Sequence, residues 1–82
     1  MGVSRNRKVV DTSTYSGRFA VRLRALRDKA GMSVDELAEK SGIPRTTLYN
    51  WESGTYKAVI DDPLIAIAEA LGVTVRTLMP VK

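Results

Sequence analysis

The chain has 82 residues, neither cysteine nor histidine, and 13 Lys or Arg against 9 Asp or Glu, for a formal net charge of +4. This length allows one small domain, and the missing residue types exclude disulfides, thiolate metal sites and the commonest general base. With no apolar run near the roughly 20 residues of a membrane span and no signal peptide, we expect a cytoplasmic protein that is not an enzyme and has no cofactor, metal, membrane or small-molecule partner.

Positive charge is concentrated near the N-terminus. Residues 1–27 contain seven Lys or Arg and a single acid, Asp11, whereas the remaining charges are close to balance. This distribution is about equally typical of a polyanion-binding surface, usually for nucleic acid, and of an ordinary charged surface. Because residues 1–14 show no helical periodicity, we predict a flexible basic arm over 1–14 and a folded domain over 15–82.

Apolar periodicity and capping residues predict the first three helices. Residues 16–30 carry apolar side chains at helical spacing. A capping-box sequence begins at Ser33 and opens a second helix, which Gly42 ends as a left-handed C-cap. Pro44 then supplies the φ that suits the start of a third helix over residues 45–53.

Two shorter helices are predicted after a loop at residues 55–61. Asp62 is expected to cap a fourth helix over 63–71, which has proline at its first position. Thr74 is expected to cap a fifth helix over 75–79. The apolar stripes predict one all-helical core, formed by Phe19, Leu23, Leu26, Met32, Leu37, Ala38, Ile43, Leu48, Trp51, Leu64, Ile67, Ala68, Leu71, Val73 and Leu78.

The second and third helices, joined by a tight turn, carry the most informative pattern. Leu48 and Trp51 mark the inner side of the third helix, so core packing is favoured over base stacking for Trp51. A short helix with a polar outer face, held at an angle by the helix before it, can enter the major groove of DNA. The polar outer side carries Arg45, Thr46, Tyr49 and Asn50.

Motifs spread over residues 19–79 resemble the lambda-repressor-like helix-turn-helix family, which includes Cro proteins and XRE-type bacterial regulators. The motifs are Leu23-x-x-Leu26-Arg27, Leu37-Ala38, Gly42-Ile43, Trp51-Glu52-x-Gly54 and Ala68-x-x-Leu71-Gly72-Val73. The resemblance implies an all-α, compact five-helix DNA-binding domain. It also implies a sequence-specific transcriptional regulator that binds double-stranded operator DNA, most like a small phage Cro or immunity repressor.

Four residues of the third helix are expected to contact bases. Arginine at position 45 suits a bidentate contact with guanine O6 and N7, and asparagine at position 50 suits adenine N6 and N7. Thr46 can bond a base edge or touch a thymine methyl, and Tyr49 can touch a base or a phosphate. The alternative for Arg45, Thr46, Tyr49 and Asn50 is an ordinary solvated helix face.

A second set of groups is expected to hold the DNA backbone without reading sequence. Ser33 and Val34 present the amides of a helix N-terminus to a phosphate. Hydroxyl groups and one cation cluster at the other end, at Thr47, Ser53, Thr55, Tyr56 and Lys57. In some relatives a basic arm wraps the duplex, so we favour DNA contact over a disordered tail for Arg5, Arg7 and Lys8.

The resemblance also assigns a structural ion pair between Arg27 and Glu52, which ties the first helix to the end of the third. Two positions depart from the family pattern. The family often has glutamine where this chain has Val34, and it usually has a serine or threonine cap where this chain has Pro44. We therefore expect the third helix to lack a side-chain N-cap and the detailed set of contacts to differ.

The sequence leaves two questions of partnership open. Repression by operator binding is the favoured function, and the alternative is an antitoxin that binds a toxin and its own promoter. An antitoxin would need an apolar segment for its toxin, and Val9-Val10, Ile65 and Val75 are its only candidates. Val75 and Met79 could form a homodimer surface on DNA, although core packing is an equally favoured role for both.

Overall fold

The computed structural model describes residues 13–79, and all regular structure in that part of the chain is helical. In chain order the elements are α1 (Tyr15–Lys29), α2 (Val34–Ser41), α3 (Arg45–Trp51), α4 (Asp62–Leu71) and α5 (Val75–Leu78). The five-helix, all-α prediction is therefore confirmed. The predicted division into an arm and a domain stays a prediction, because residues 1–12 lie outside the described part.

Local capping chemistry sets where the helices begin. The Ser33 Oγ accepts a hydrogen bond from the Glu36 amide, and the Glu36 carboxylate accepts one from the Ser33 amide, which completes the predicted capping box. Gly42 ends α2 in the left-handed conformation at φ 79°, which costs glycine little because it has no Cβ. Pro44 precedes α3 without any side-chain cap.

Several helix ends differ from the predicted ones by one or two residues. The N-cap of α4 is Asp61 rather than Asp62, because the Asp61 carboxylate accepts the bond from the Leu64 amide. The third helix ends at Trp51 instead of residue 53, with Glu52 as its C-cap. Helix α1 lies one residue earlier than predicted, since Thr14 provides its cap, and α5 ends one residue early.

The core lies where α2 packs against α3 and α4 while α5 contacts α1 and α4. Phe19, Trp51 and Tyr56 form an aromatic cluster: the Trp51 and Tyr56 rings stack with centroids 4.6 Å apart, and Phe19 approaches both. Trp51 is 4% exposed, as expected of a core residue. Ala20 and Ala58 are also buried, and Tyr56 packs against the core, although none of the three was predicted as a core residue.

The C-terminal helix packs inward rather than presenting an apolar face. Val75 and Met79 are partly buried against the core. The Tyr15 hydroxyl lies 4.0 Å from the Met79 sulfur, and the Arg22 Nε donates to the Met79 carbonyl over 3.4 Å. These contacts favour core packing, the alternative to the dimer surface.

Candidate nucleic-acid interface

The turn between α2 and α3 is fixed by a serine and a glycine. The Ser41 Oγ donates to the Leu37 carbonyl over 2.7 Å and accepts from the Ile43 amide over 3.2 Å. The chain can then reverse through Gly42 because of its positive φ. Leu48, which is completely buried, and Trp51 anchor the inner face of α3. The anchoring leaves the opposite face of a seven-residue helix in solvent.

All four predicted base-contacting residues lie on that outer face. Arg45, Thr46, Tyr49 and Asn50 are exposed, and Tyr49 is the largest exposed aromatic side chain at 55%. Spacings of three and four residues, between 46 and 49, 45 and 49, and 46 and 50, place them side by side on one strip of helix. The strip offers a cation, hydroxyls and an amide, which are the groups that bond base edges in the major groove.

An ion pair crosses from this strip to α2. The Arg45 Nη1 lies 2.9 Å from the Asp35 Oδ1, and the two side chains are 58% and 65% exposed. Its hydrogen bond to Asp35 raises the pKa of Arg45, with smaller contributions from the charge of Asp35 and from Tyr49. Asp35 could not be paired with Arg45 from the sequence, because spacing rules within one helix do not reach across a turn.

The N-terminus of α2 is less open to an anion than the sequence indicated. Ser33 is exposed and Val34 is partly buried against the core. The capping box occupies the amides of Ser33 and Glu36, and two carboxylates, Asp35 and Glu36, lie in the first turn. These negative charges oppose the attraction of the helix dipole for a phosphate. Phosphate binding by Ser33 and Val34 stays a prediction.

The residues after α3 are arranged by short polar bonds and one aromatic stack. The Ser53 Oγ donates to the Asn50 carbonyl over 2.7 Å and lies 2.9 Å from the Thr55 hydroxyl. Thr55 and Lys57 are exposed, whereas Thr47 is partly buried. Tyr56 stacks on Trp51, so its ring is part of the packing and only its hydroxyl could serve a phosphate.

The surroundings of Tyr56 raise the pKa of its phenol. Burial raises its pKa, and the carboxylate of Asp61 raises it further, while a backbone hydrogen bond with Val59 acts in the opposite direction. At neutral pH the hydroxyl is therefore uncharged and can donate a hydrogen bond.

Arg27 and Glu52 meet in the ion pair that the resemblance implied. The guanidinium binds both carboxylate oxygens, with Nε–Oε2 at 2.8 Å and Nη2–Oε1 at 3.0 Å. The Arg27 Nη1 also donates to the Met32 carbonyl over 2.9 Å, and Arg24 lies 3.7 Å from the same carboxylate. The pair joins α1 to the C-cap of α3 and thereby holds α3 in place.

Between residues 13 and 79, no group of three or more acidic, His or Cys side chains could hold a metal ion. Likewise, none of the helices described is both long enough and apolar enough to cross a membrane. The predicted arm residues Arg5, Arg7 and Lys8 lie outside this range, so their contact with DNA stays a prediction.

A family model described as helix-turn-helix matches residues 23–78, which is more than half of the chain. The chain belongs to the Cro/XRE-type helix-turn-helix family. Members of this family are DNA-binding transcriptional regulators, and the matched residues include both helices of the motif and the whole outer strip of α3. No curated protein matches the chain.

Solved structures include two similar proteins. The restriction-modification controller protein C.AhdI from Aeromonas hydrophila is 32% identical, with a TM-score of 0.69 over 76% of this chain and 92% of that one. The hypothetical transcription factor NHTF from Neisseria is 26% identical, with a TM-score of 0.74 over 90% of this chain and 84% of that one. This Cro/XRE-type chain therefore has the same fold as two proteins described as regulators.

Proposed function

We propose that this protein is a sequence-specific repressor that places α3 in the major groove of an operator and excludes RNA polymerase. One observation carries the proposal: residues 45, 46, 49 and 50 form an exposed polar strip on a helix whose opposite side is locked into the core. In this assignment Arg45 bonds guanine and Asn50 bonds adenine, while Thr46 and Tyr49 complete the base contacts.

Groups flanking the strip would fix the protein on the duplex. Thr55 and Lys57 are exposed and follow α3, and the exposed Ser33 lies at the N-terminus of α2. Contacts of this kind set the register of the reading helix and contribute to affinity on any sequence. Ser53, Thr47, Val34 and the Tyr56 hydroxyl are secondary members of the set, because each is partly buried.

Selection of binding sites from random duplexes, followed by footprinting, tests this proposal. We expect the selected duplexes to share one motif, and a reporter gene placed behind that motif to be repressed when the protein is expressed. Enrichment of no motif would refute sequence-specific binding. Activation of the reporter would refute the repressor part alone.

We also propose that two protomers bind an inverted repeat, because one short reading helix covers only about one half-site. The C-terminal pair Val75 and Met79 is partly buried, so it is a poor dimer surface. Val59 and Ile60, in the loop after α3, are 52% and 65% exposed, and Ile65 on α4 is 39% exposed. These three aliphatic residues are the better place for a second copy to pack.

Footprinting at saturation checks the dimer. We expect two protected patches with centres about 34–36 Å apart along the duplex, and Ile60→Asp should lower the occupancy of the paired site while leaving the unfolding midpoint unchanged. A single asymmetric patch with a one-to-one complex mass would contradict dimer binding. The same exposed aliphatic residues would serve a toxin in the antitoxin alternative, which a stable one-to-one complex with the product of a neighbouring gene would support.

A further inference from the structure

We propose that Asp35 determines specificity by holding the Arg45 guanidinium on the outer strip of α3 and by limiting its contact with phosphates. The inference rests on the proposed function, because it takes Arg45 to be a base-contacting residue. Asp35 itself would touch no base. It would act as a positioning residue for the arginine across the turn.

The geometry allows Asp35 to orient Arg45 without blocking it. The pair is made through a single guanidinium nitrogen, Nη1, at 2.9 Å from the carboxylate. A guanidinium has five N–H donors in a rigid fork, so the rest of the fork can still bond guanine O6 and N7. A base contact can therefore form while the bond to Asp35 is kept.

The local charge explains why an unpartnered arginine would be a disadvantage. Arg45 is the only cation of α3, and the first turn of α2 supplies the carboxylates of Asp35 and Glu36. Without Asp35, the long side chain would be attracted to phosphates on every sequence. Both partners are more than half exposed, so the pair is weak by itself. Its effect would lie in which DNA contact it permits rather than in the stability of the fold.

Titration of DNA binding against salt is the direct test, on a random duplex and on the selected operator. For Asp35→Ala we expect affinity for the random duplex to rise about three- to tenfold. The plot of log affinity against log salt should steepen by about one unit, because one more phosphate is neutralised. Discrimination at the base that Arg45 reads should fall about tenfold.

Two variants separate this role from a general effect of charge. Glu69→Gln removes one negative charge from an exposed position on α4, and we expect it to leave the salt slope unchanged. Asp35→Asn keeps an oxygen acceptor but removes the charge, so it should retain most of the base discrimination while raising affinity for random DNA.

The Arg45→Ala background shows whether the effect passes through the arginine. There, Asp35→Ala should no longer steepen the salt slope. If the steepening persists without Arg45, or if Glu69→Gln reproduces it, the inference is overturned while selective binding by the unmodified protein still supports the proposed function. Failure of the unmodified protein to select any sequence would refute the proposed function itself.

Discussion

Two of the arginine–carboxylate pairs in the described part of the chain have nearly equal bond lengths and opposite surroundings. Arg27 and Glu52 meet at 2.8 Å with side chains 13% and 6% exposed, whereas Arg45 and Asp35 meet at 2.9 Å with both side chains more than half exposed. The buried pair has exchanged water for a bidentate bond and cannot release either charge cheaply. The exposed pair can exchange partners, because water and DNA both reach it.

The two pairs therefore have different roles, although their chemistry is similar. Arg27 also bonds the Met32 carbonyl, so the buried pair connects α1, the loop before α2 and the C-cap of α3. Arg45 has one bonded nitrogen in the part of the chain that the structure describes and lies on the exposed outer strip of α3. One pair holds α3, and the other lies on the side of α3 that we propose binds DNA.

Replacing the carboxylate of each pair by an amide should give the largest difference in the free energy of unfolding. We expect Glu52→Gln to lower the free energy of unfolding by about 3 kcal/mol, the lower end of the cost of breaking a buried ion pair. Arg27 loses its bidentate partner and keeps only the Met32 carbonyl and the exposed Asp28 carboxylate. Asp35→Asn should change it by less than about 0.5 kcal/mol, as is usual for an exposed position. Urea denaturation of both variants measures the difference. Equal losses would show that burial does not separate the two pairs.

Tyr56 has a packed ring and a hydroxyl that could bind a phosphate, so the roles of packing and of DNA contact can be compared within one side chain. Its ring stacks on Trp51, so Tyr56→Ala should cost about 2 kcal/mol of folding stability. Tyr56→Phe keeps the ring and should cost less than about 0.5 kcal/mol. A loss of DNA affinity in Tyr56→Phe, with the same unfolding midpoint, would assign the hydroxyl to a phosphate. Similar stability losses in both variants would contradict the importance of the ring.

The raised pKa of Tyr56 gives a further check through pH. The unfolded phenol ionises near its ordinary value of about 10, while the folded protein favours the uncharged form. Stability should consequently be unaffected below about pH 10 and should fall as the pH rises through the higher folded pKa. The part of this fall that is absent from Tyr56→Phe belongs to Tyr56. An identical alkaline profile for the two proteins would contradict the assignment.

Deleting residues 1–10 should have the smallest effect on stability and a distinct effect on binding. The deletion removes Arg5, Arg7 and Lys8 but no residue of the core that the structure describes. We expect the melting temperature to change little, while DNA affinity drops and the salt slope flattens by up to about 2–3 units. An unchanged salt slope would show that the arm takes no part in binding.

The sequence was sufficient for the fold and for the outer strip, because both depend on local rules. The capping box at Ser33 and the turn at Gly42 are read directly from residue type, and the inner position of Trp51 follows from helical spacing. Asp61 and Asp62 show the limit of such rules. Either aspartate could cap α4, and the choice of Asp61 depends on how the loop before the helix packs.

Contacts between secondary-structure elements could not be predicted from residue type and spacing. Tyr56 looked like a polar loop residue, yet its ring completes the aromatic cluster with Phe19 and Trp51. Asp35 lies in the first turn of α2, where acids are common, yet it pairs with Arg45 ten residues later. Arg27 and Glu52 were paired only through the family resemblance. All three depend on the angle at which helices meet, which residue type and spacing leave open.

One comparison of affinities tests the proposed reading of DNA by α3 most directly. The affinities of the unmodified protein, Arg45→Ala and Asn50→Ala are measured on the selected operator and on a random duplex at one salt concentration. Each substitution should weaken operator binding by about 1–3 kcal/mol and random binding far less, with the helical content unchanged. Equal losses on the two duplexes would contradict base reading by α3 and would reduce Arg45 and Asn50 to ordinary surface residues.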